Sequence, residues 1–193
     1  MLTVNLFGGP GIGKSSIAAG LFSILKRNNI NVELVTEYAK DLVYEERKSI
    51  LQDQLYILAK QNRRLSRLVN QNIEIAIVDS PLLLGTIYYK INGGTSENFI
   101  KVVEETFNSY ENLNFYLKRN TESEFNTVGR VQKSLDDAIN IDKQILDYLK
   151  QLKLEYVPIN VNIDSTVEIL MYIVSKLMKI SKDSAQQKNF EII

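Results

Sequence analysis

The sequence contains no cysteine and no histidine among its 193 residues. Without cysteine there is no disulfide, no thiolate nucleophile and no cysteine-bound zinc. Without histidine, a Ser-His-Asp triad and most transition-metal sites are excluded as well. Acid–base chemistry must fall to Asp, Glu, Lys or Tyr, and any metal is expected to be a hard cation on oxygen ligands, such as Mg²⁺. An excess charge of one sign is also missing: Lys plus Arg and Asp plus Glu both number 23. No global field draws the chain toward nucleic acid or an anionic membrane. No apolar run approaches the ~20 residues that span a bilayer. Met1 leads straight into strand-like sequence with no secretory leader, so a cytoplasmic setting without membrane contact is expected. No stretch rich in proline, glycine or serine marks a linker. With 45% hydrophobic residues, that points to a single domain over residues 1–182 and a polar tail over 183–193.

Glycine is sparse, yet four of the nine fall between positions 8 and 13, in "LFGGPGIGKSS". Glycine loses the most backbone freedom on folding, so such a cluster needs a reason. Gly8-x-x-x-x-Gly13-Lys14-Ser15 has the spacing of a P-loop (Walker A) and lies between a strand-like and a helix-like run. In that motif the glycines let backbone N–H groups turn inward as a nest for phosphate oxygens. The following helix adds the partial positive charge of its N-terminus. Gly8, Gly9, Pro10, Gly11, Ile12, Gly13, Lys14, Ser15 and Ser16 are therefore the candidate nucleotide cradle. Lys14 is placed to reach the β- and γ-phosphates, and the Ser15 hydroxyl to ligate Mg²⁺.

Along the chain, strand-like runs at 2–7, 32–36, 73–78, 114–117 and 156–161 alternate with helical patterns at 15–26, 50–69, 82–90, 97–108, 134–152 and 167–180. That alternation predicts an α/β fold: a five-stranded parallel sheet with helices on both faces, the three-layer P-loop arrangement. Residues 118–133 are polar and lack apolar periodicity, which reads as a short lid. The run "IEIAIVDSP" describes a buried strand whose Asp79 emerges at its carboxyl edge beside the cradle, the place of a second Mg²⁺ ligand. Asp-Ser-Pro is also a good helix start, so Asp79 reads equally as a cap. In "QDQLYILAKQNRRLSRL", Gln54, Gln61 and Arg64 share a face at spacings of seven and three, where amide and guanidinium donors could line a pocket. Arg63, Arg64 and Arg67 also read as a solvated face.

The combination of "GGPGIGKSS", "VTEYAKDL" after the second strand, "VDSPLL" after the third and "GRVQ" in the lid resembles the P-loop kinases of nucleosides and nucleotides. It is similar in particular to the nicotinamide riboside kinase-like, AAA-type group and to small phage-encoded kinases. The resemblance implies a sheet with the P-loop strand in the middle and the Asp79 strand beside it. It implies that Glu37 takes the acceptor hydroxyl's proton, with Asp41 in reserve; Glu37 also reads as the cap of a helix starting near Tyr38. It implies further that Arg119 and Arg130, bracketing "KRNTESEFNTVGR", neutralise the phosphoryl in flight. The alternative is an irregular surface loop with incidental arginines. The 193 residues include no counterpart of the adenylyl-transferring domain some of these enzymes carry, and Tyr38, Tyr44 and Tyr56 are the candidates for holding an aromatic ring.

Three functions follow as expectations. The first is transfer of the γ-phosphate of ATP, with Mg²⁺, to a hydroxyl of a nucleoside- or nucleotide-like small molecule by a monomer or homodimer. The second keeps that chemistry but uses a hydroxymethylated base within phage DNA as acceptor, with Lys60, Arg63, Arg64 and Arg67 as a phosphate track. The third is a nucleotide-dependent switch or ATPase acting on a protein partner. Against it, Asp79 is followed by Ser80-Pro81 and not by a second acid.

Overall fold

The computed structural model describes residues 1–120, 128, 131–132 and 134–190. The chain runs β1 (Leu2–Phe7), α1 (Lys14–Arg27), β2 (Val32–Val35), α2 (Tyr38–Tyr44), α3 (Lys48–Gln52), α4 (Gln54–Ser66) and β3 (Ile75–Val78). It continues with α5 (Leu84–Ile91), α6 (Glu97–Asn108), β4 (Glu111–Lys118), α7 (Leu135–Gln151), β5 (Val157–Asn160) and α8 (Ser165–Phe190). The five strands form one parallel sheet in the order β2-β3-β1-β4-β5, so β1 is central and β3 is its neighbour, as the resemblance implies. β1 and β3 are buried throughout; β3 (IAIV) therefore reads as an unbroken apolar run, while β1 (LTVNLF) buries Thr3 and Asn5 among its apolar residues.

Each face of the sheet carries its own core. On one side Leu2, Val4 and Leu6 meet α1 and α8 through Leu21, Leu25, Ile169 and Ile173. On the other, Phe7, Ala76 and Val78 meet α4 to α7 through Leu58, Ile87, Val103 and Ile145. Gly20 lies where α1 and α8 cross: a Cβ there would stand 3.0 Å from Thr166 Cγ2. A glycine in mid-helix costs about 0.5–1 kcal/mol against alanine, and here it permits the close crossing.

Three elements differ from the pattern reading, each for a local reason. The single helix expected over 50–69 is two helices, because Asp53 leaves helical geometry (φ −80°, ψ 80°) and its carboxylate caps α4 by accepting the Tyr56 N–H at 3.0 Å. β4 begins three residues early. Its polar Asn112 and Asn114 accept hydrogen bonds from the Asn5 amide on β1, at 2.8 and 3.0 Å, so a buried polar ladder replaces apolar alternation. α8 continues to Phe190 through what reads as the closing helix and a polar tail, since neither proline nor glycine interrupts it.

Candidate functional site

The candidate residues gather at the carboxyl edge of the sheet. Gly8 follows β1 directly, Asp79 follows β3, Glu37 lies two residues beyond β2, and Arg119 follows β4. In parallel sheets this edge is where ligands bind. A cavity of about 660 Å³ opens there, walled by Pro10, Gly11, Gly13, Lys14, Ser15 and Ser16 at one end. The same cavity continues past Glu37 to the other end.

Gly13 stands at the N-cap of α1 with φ 103°, a left-handed conformation that glycine adopts without a Cβ penalty. No side chain caps the helix and its first turn carries no acid, so its leading N–H groups are left for an anion. The Lys14 ammonium folds back over the loop and donates to the Gly8 and Gly9 carbonyls at 2.8 and 3.0 Å. Burial holds its pKa below the usual lysine value, while Glu37, Asp79 and Asp142 pull the other way. Ser15 Oγ donates to Asp79 Oδ2 at 2.6 Å. Asp79 is buried, and its Oδ1 has no hydrogen-bond partner. It therefore does not cap α5. A buried carboxylate oxygen without a partner, beside a hydroxyl in the cradle, suits a hard cation, with phosphate and water supplying the remaining ligands. Ser15 and Asp79 are the residues that would hold Mg²⁺. Among the described residues there is no cluster of three or more Asp or Glu to offer an alternative.

Glu37 occupies the N-cap position of α2 but makes no side-chain cap hydrogen bond. Gln61 of α4 does that work. Its Oε1 accepts the Tyr38 N–H at 2.9 Å while its Nε2 donates to the Thr36 carbonyl at 3.2 Å. The amide thus grips the backbone on both sides of Glu37, which itself lines the cavity. Arg64 strengthens the hold from outside by donating to the Thr36 carbonyl and hydroxyl and to Asp41 Oδ2. Asp41 and Arg64 are thereby paired with each other, and neither walls the cavity. Gln54 and Gln61 do wall it, although Gln61 has both ends of its amide on backbone.

Beyond Glu37 the wall mixes the apolar Val43, Leu51, Ile57, Leu58, Leu82 and Ile91 with the polar Lys40, Gln52, Gln54, Gln61 and Asn92. Tyr38 and Tyr56 hydrogen-bond each other through their hydroxyls at 3.0 Å, and Tyr44 is exposed; none of the three lines the cavity. The aromatic that does is Tyr88 on α5, whose phenol pKa is pushed up by burial and by the charges of Glu37 and Asp142. Pattern reading passes over it because Tyr88 sits in an amphipathic helix where core packing is the obvious role.

At the cradle's other flank, Gly9 N–H donates to Asp142 Oδ1 at 2.6 Å, so this amide is taken by α7. Gly8 and Ile12 also lie off the cavity wall, Ile12 being buried in the α1 core. Arg119 donates to Asp142 and to the Pro10 carbonyl instead of reaching the cavity. Of the stretch expected to form a lid, Val128, Val131 and Gln132 line the cavity, and Arg130 lies outside the described residues.

A profile of the AAA domain matches residues 3–165. The chain belongs to the AAA-domain family. Its cradle, Asp79 and parallel sheet all fall inside the matched region. Among solved structures it is similar to a NadR protein in complex with NR, at 19% identity and a TM-score of 0.60. That match covers 84% of this chain and 46% of the other, so this chain spans just under half of that protein's length. It is also similar to deoxyadenosine kinase from M. mycoides with the products dCMP and dCDP bound, at 18% identity and a TM-score of 0.53, covering 93% and 100%. The same kinase with bound dATP gives 17% identity and a TM-score of 0.51, covering 91% and 100%. At these identities the likeness is one of fold, and it agrees with the three-layer α/β architecture of P-loop kinases. No curated protein matches.

Proposed function

We propose that the protein transfers the γ-phosphate of ATP to a hydroxyl of a nucleoside-like small molecule, with Mg²⁺. The observation that carries this reading is the continuity of one cavity from the phosphate cradle, past Glu37, to a wall of apolar side chains and amides, a lining that suits the apolar faces and polar edges of a nucleoside. The fold likeness to NadR with bound NR and to deoxyadenosine kinase supports the acceptor class.

The chain's contribution is positioning and charge. The α1 N-terminus and the Lys14 ammonium hold the triphosphate, so Lys14 exchanges the Gly8 and Gly9 carbonyls for phosphate oxygens. Ser15 and Asp79 would hold Mg²⁺, which would shield phosphate charge there. Glu37 accepts the proton of the acceptor hydroxyl as its oxygen bonds to the γ-phosphorus; the bond to the β–γ bridging oxygen breaks and ADP leaves. Val128, Val131 and Gln132 line the same cavity, and apolar side chains beside the reacting groups favour transfer over hydrolysis.

The DNA reading finds less support. Of its proposed track, Arg64 is committed to Thr36 and Asp41, and Lys60 lies over the Tyr56 ring. A panel experiment separates the readings: γ-labelled ATP with Mg²⁺, free nucleosides, nucleotides, hydroxymethylated duplex DNA, or no acceptor. Label in a small-molecule product is expected. Label in DNA alone, or in inorganic phosphate alone, would overturn the proposal.

A further inference from the structure

The cradle is braced by a buried ion pair that no sequence motif announces. Asp142 lies on α7, 133 residues from Gly9, and is 7% exposed. Its Oδ1 accepts the Gly9 N–H at 2.6 Å and its Oδ2 accepts Arg119 Nε at 2.6 Å. Arg119 Nη2 reaches Oδ1 as well, at 3.3 Å, and donates to the Pro10 carbonyl at 2.8 Å. The Arg119 side chain is 8% exposed. The approach is so close that a Cβ on Gly9 would stand 2.5 Å from Asp142 Oδ1 and 2.9 Å from the Ala138 carbonyl. Gly9 is thus a glycine because α7 abuts it.

Two consequences follow from this geometry. A carboxylate holds an N–H and a guanidinium holds a C=O on either side of the same turn, so the path of residues 9 and 10 is fixed from behind. The Asp142 charge is also felt at Lys14. An unneutralised carboxylate there would repel any polyphosphate in the cradle, and Arg119 cancels it at hydrogen-bond distance.

We propose that Asp142 and Arg119 form a positioning pair for the nucleotide cradle, in which Asp142 sets the backbone of Gly9 and Pro10 and Arg119 neutralises Asp142. Arg119 then serves the bound nucleotide through Asp142, and not by touching the phosphoryl in flight. This rests on the cradle binding ATP, as proposed above.

The test is a double-mutant cycle on the full chain with Arg119→Met, Asp142→Asn and both together, plus Asp142→Ala. Readouts are ATP dissociation constant by calorimetry, KM for ATP, kcat and melting temperature. R119M should weaken ATP binding about tenfold or more by leaving the buried anion bare, with the larger change in KM. Adding D142N to R119M should recover most of that loss, because asparagine keeps an acceptor for the Gly9 N–H and carries no charge. D142A should weaken binding more than D142N does. Should R119M fail to fold, the D142A and D142N comparison decides the matter. Overturning results are wild-type ATP affinity in every variant, or a fall in kcat alone for R119M that D142N does not relieve. A wild-type protein that binds no ATP would instead refute the kinase reading, and the pair's role with it.

Discussion

At the scale of single residues, Lys14 carries a sign that can be checked. Burial lowers its pKa in the folded protein relative to the unfolded chain. Between the lowered value and the ordinary 10.5, the unfolded chain binds the extra proton, so this group's contribution to stability rises with pH across that window. Below the window the fold bears the full cost of a buried ammonium. Bound phosphate favours the protonated amine, so nucleotide binding in that window takes up a proton and affinity falls as pH rises. Calorimetry in two buffers of different ionisation enthalpy should show that uptake in the wild type and lose it in Lys14→Met. The placement of Lys14, Ser15 and Asp79 together at the sheet edge is legible in the sequence because their spacing or strand edge is local. Gly9 is not: its partner is on another helix, and the motif alone assigns its amide to phosphate. Asp41 and Arg64 share a similar history, since helical spacing shows which residues share a face but not that they will bond each other.

At the scale of elements, the junction of β2 and α2 is held by α4. Gln61 satisfies the Tyr38 N–H that a cap would otherwise take, and Glu37 makes no side-chain cap bond. Gln61→Leu strands that donor, and buried hydrogen bonds lost this way cost about 1–3 kcal/mol. The expected outcome is a kcat lowered about tenfold or more with KM for ATP little changed, measured by steady-state kinetics beside a denaturant melt. A loss confined to stability would remove Gln61 from the positioning of Glu37. The broken helix at Asp53 belongs to this scale too. Apolar periodicity runs on through the break, so 50–69 reads as one helix, and only the cap geometry reveals two. The Asn5–Asn112–Asn114 ladder hides the first half of β4 for the opposite reason, since its polar residues are buried in pairs.

At the scale of the whole molecule, the strand–helix alternation made the three-layer sheet and its central P-loop strand readable, because each strand keeps a short run rich in apolar residues between helical patterns. The cavity was not readable, since its wall draws on α1, α2, α3, α4, α5 and Val128, Val131 and Gln132 together. A ligand that bridges so many elements should stabilise them jointly. At ATP a hundredfold above its dissociation constant, binding adds about 2.7 kcal/mol. For a chain of this size that raises the melting temperature by roughly 5–10 °C, observable by calorimetry with and without Mg²⁺-ATP.

The central claim is that one cavity brings a bound triphosphate to the carboxylate of Glu37, which deprotonates the acceptor. The most direct measurement is Glu37→Gln, assayed for both ATP binding and label transfer to the acceptor found in the panel. Removal of a general base lowers rate by about 10²–10⁴-fold, so the variant should bind ATP as the wild type does while transfer falls by at least about a hundredfold. Transfer at the wild-type rate, or an equal loss of ATP binding, would contradict the account.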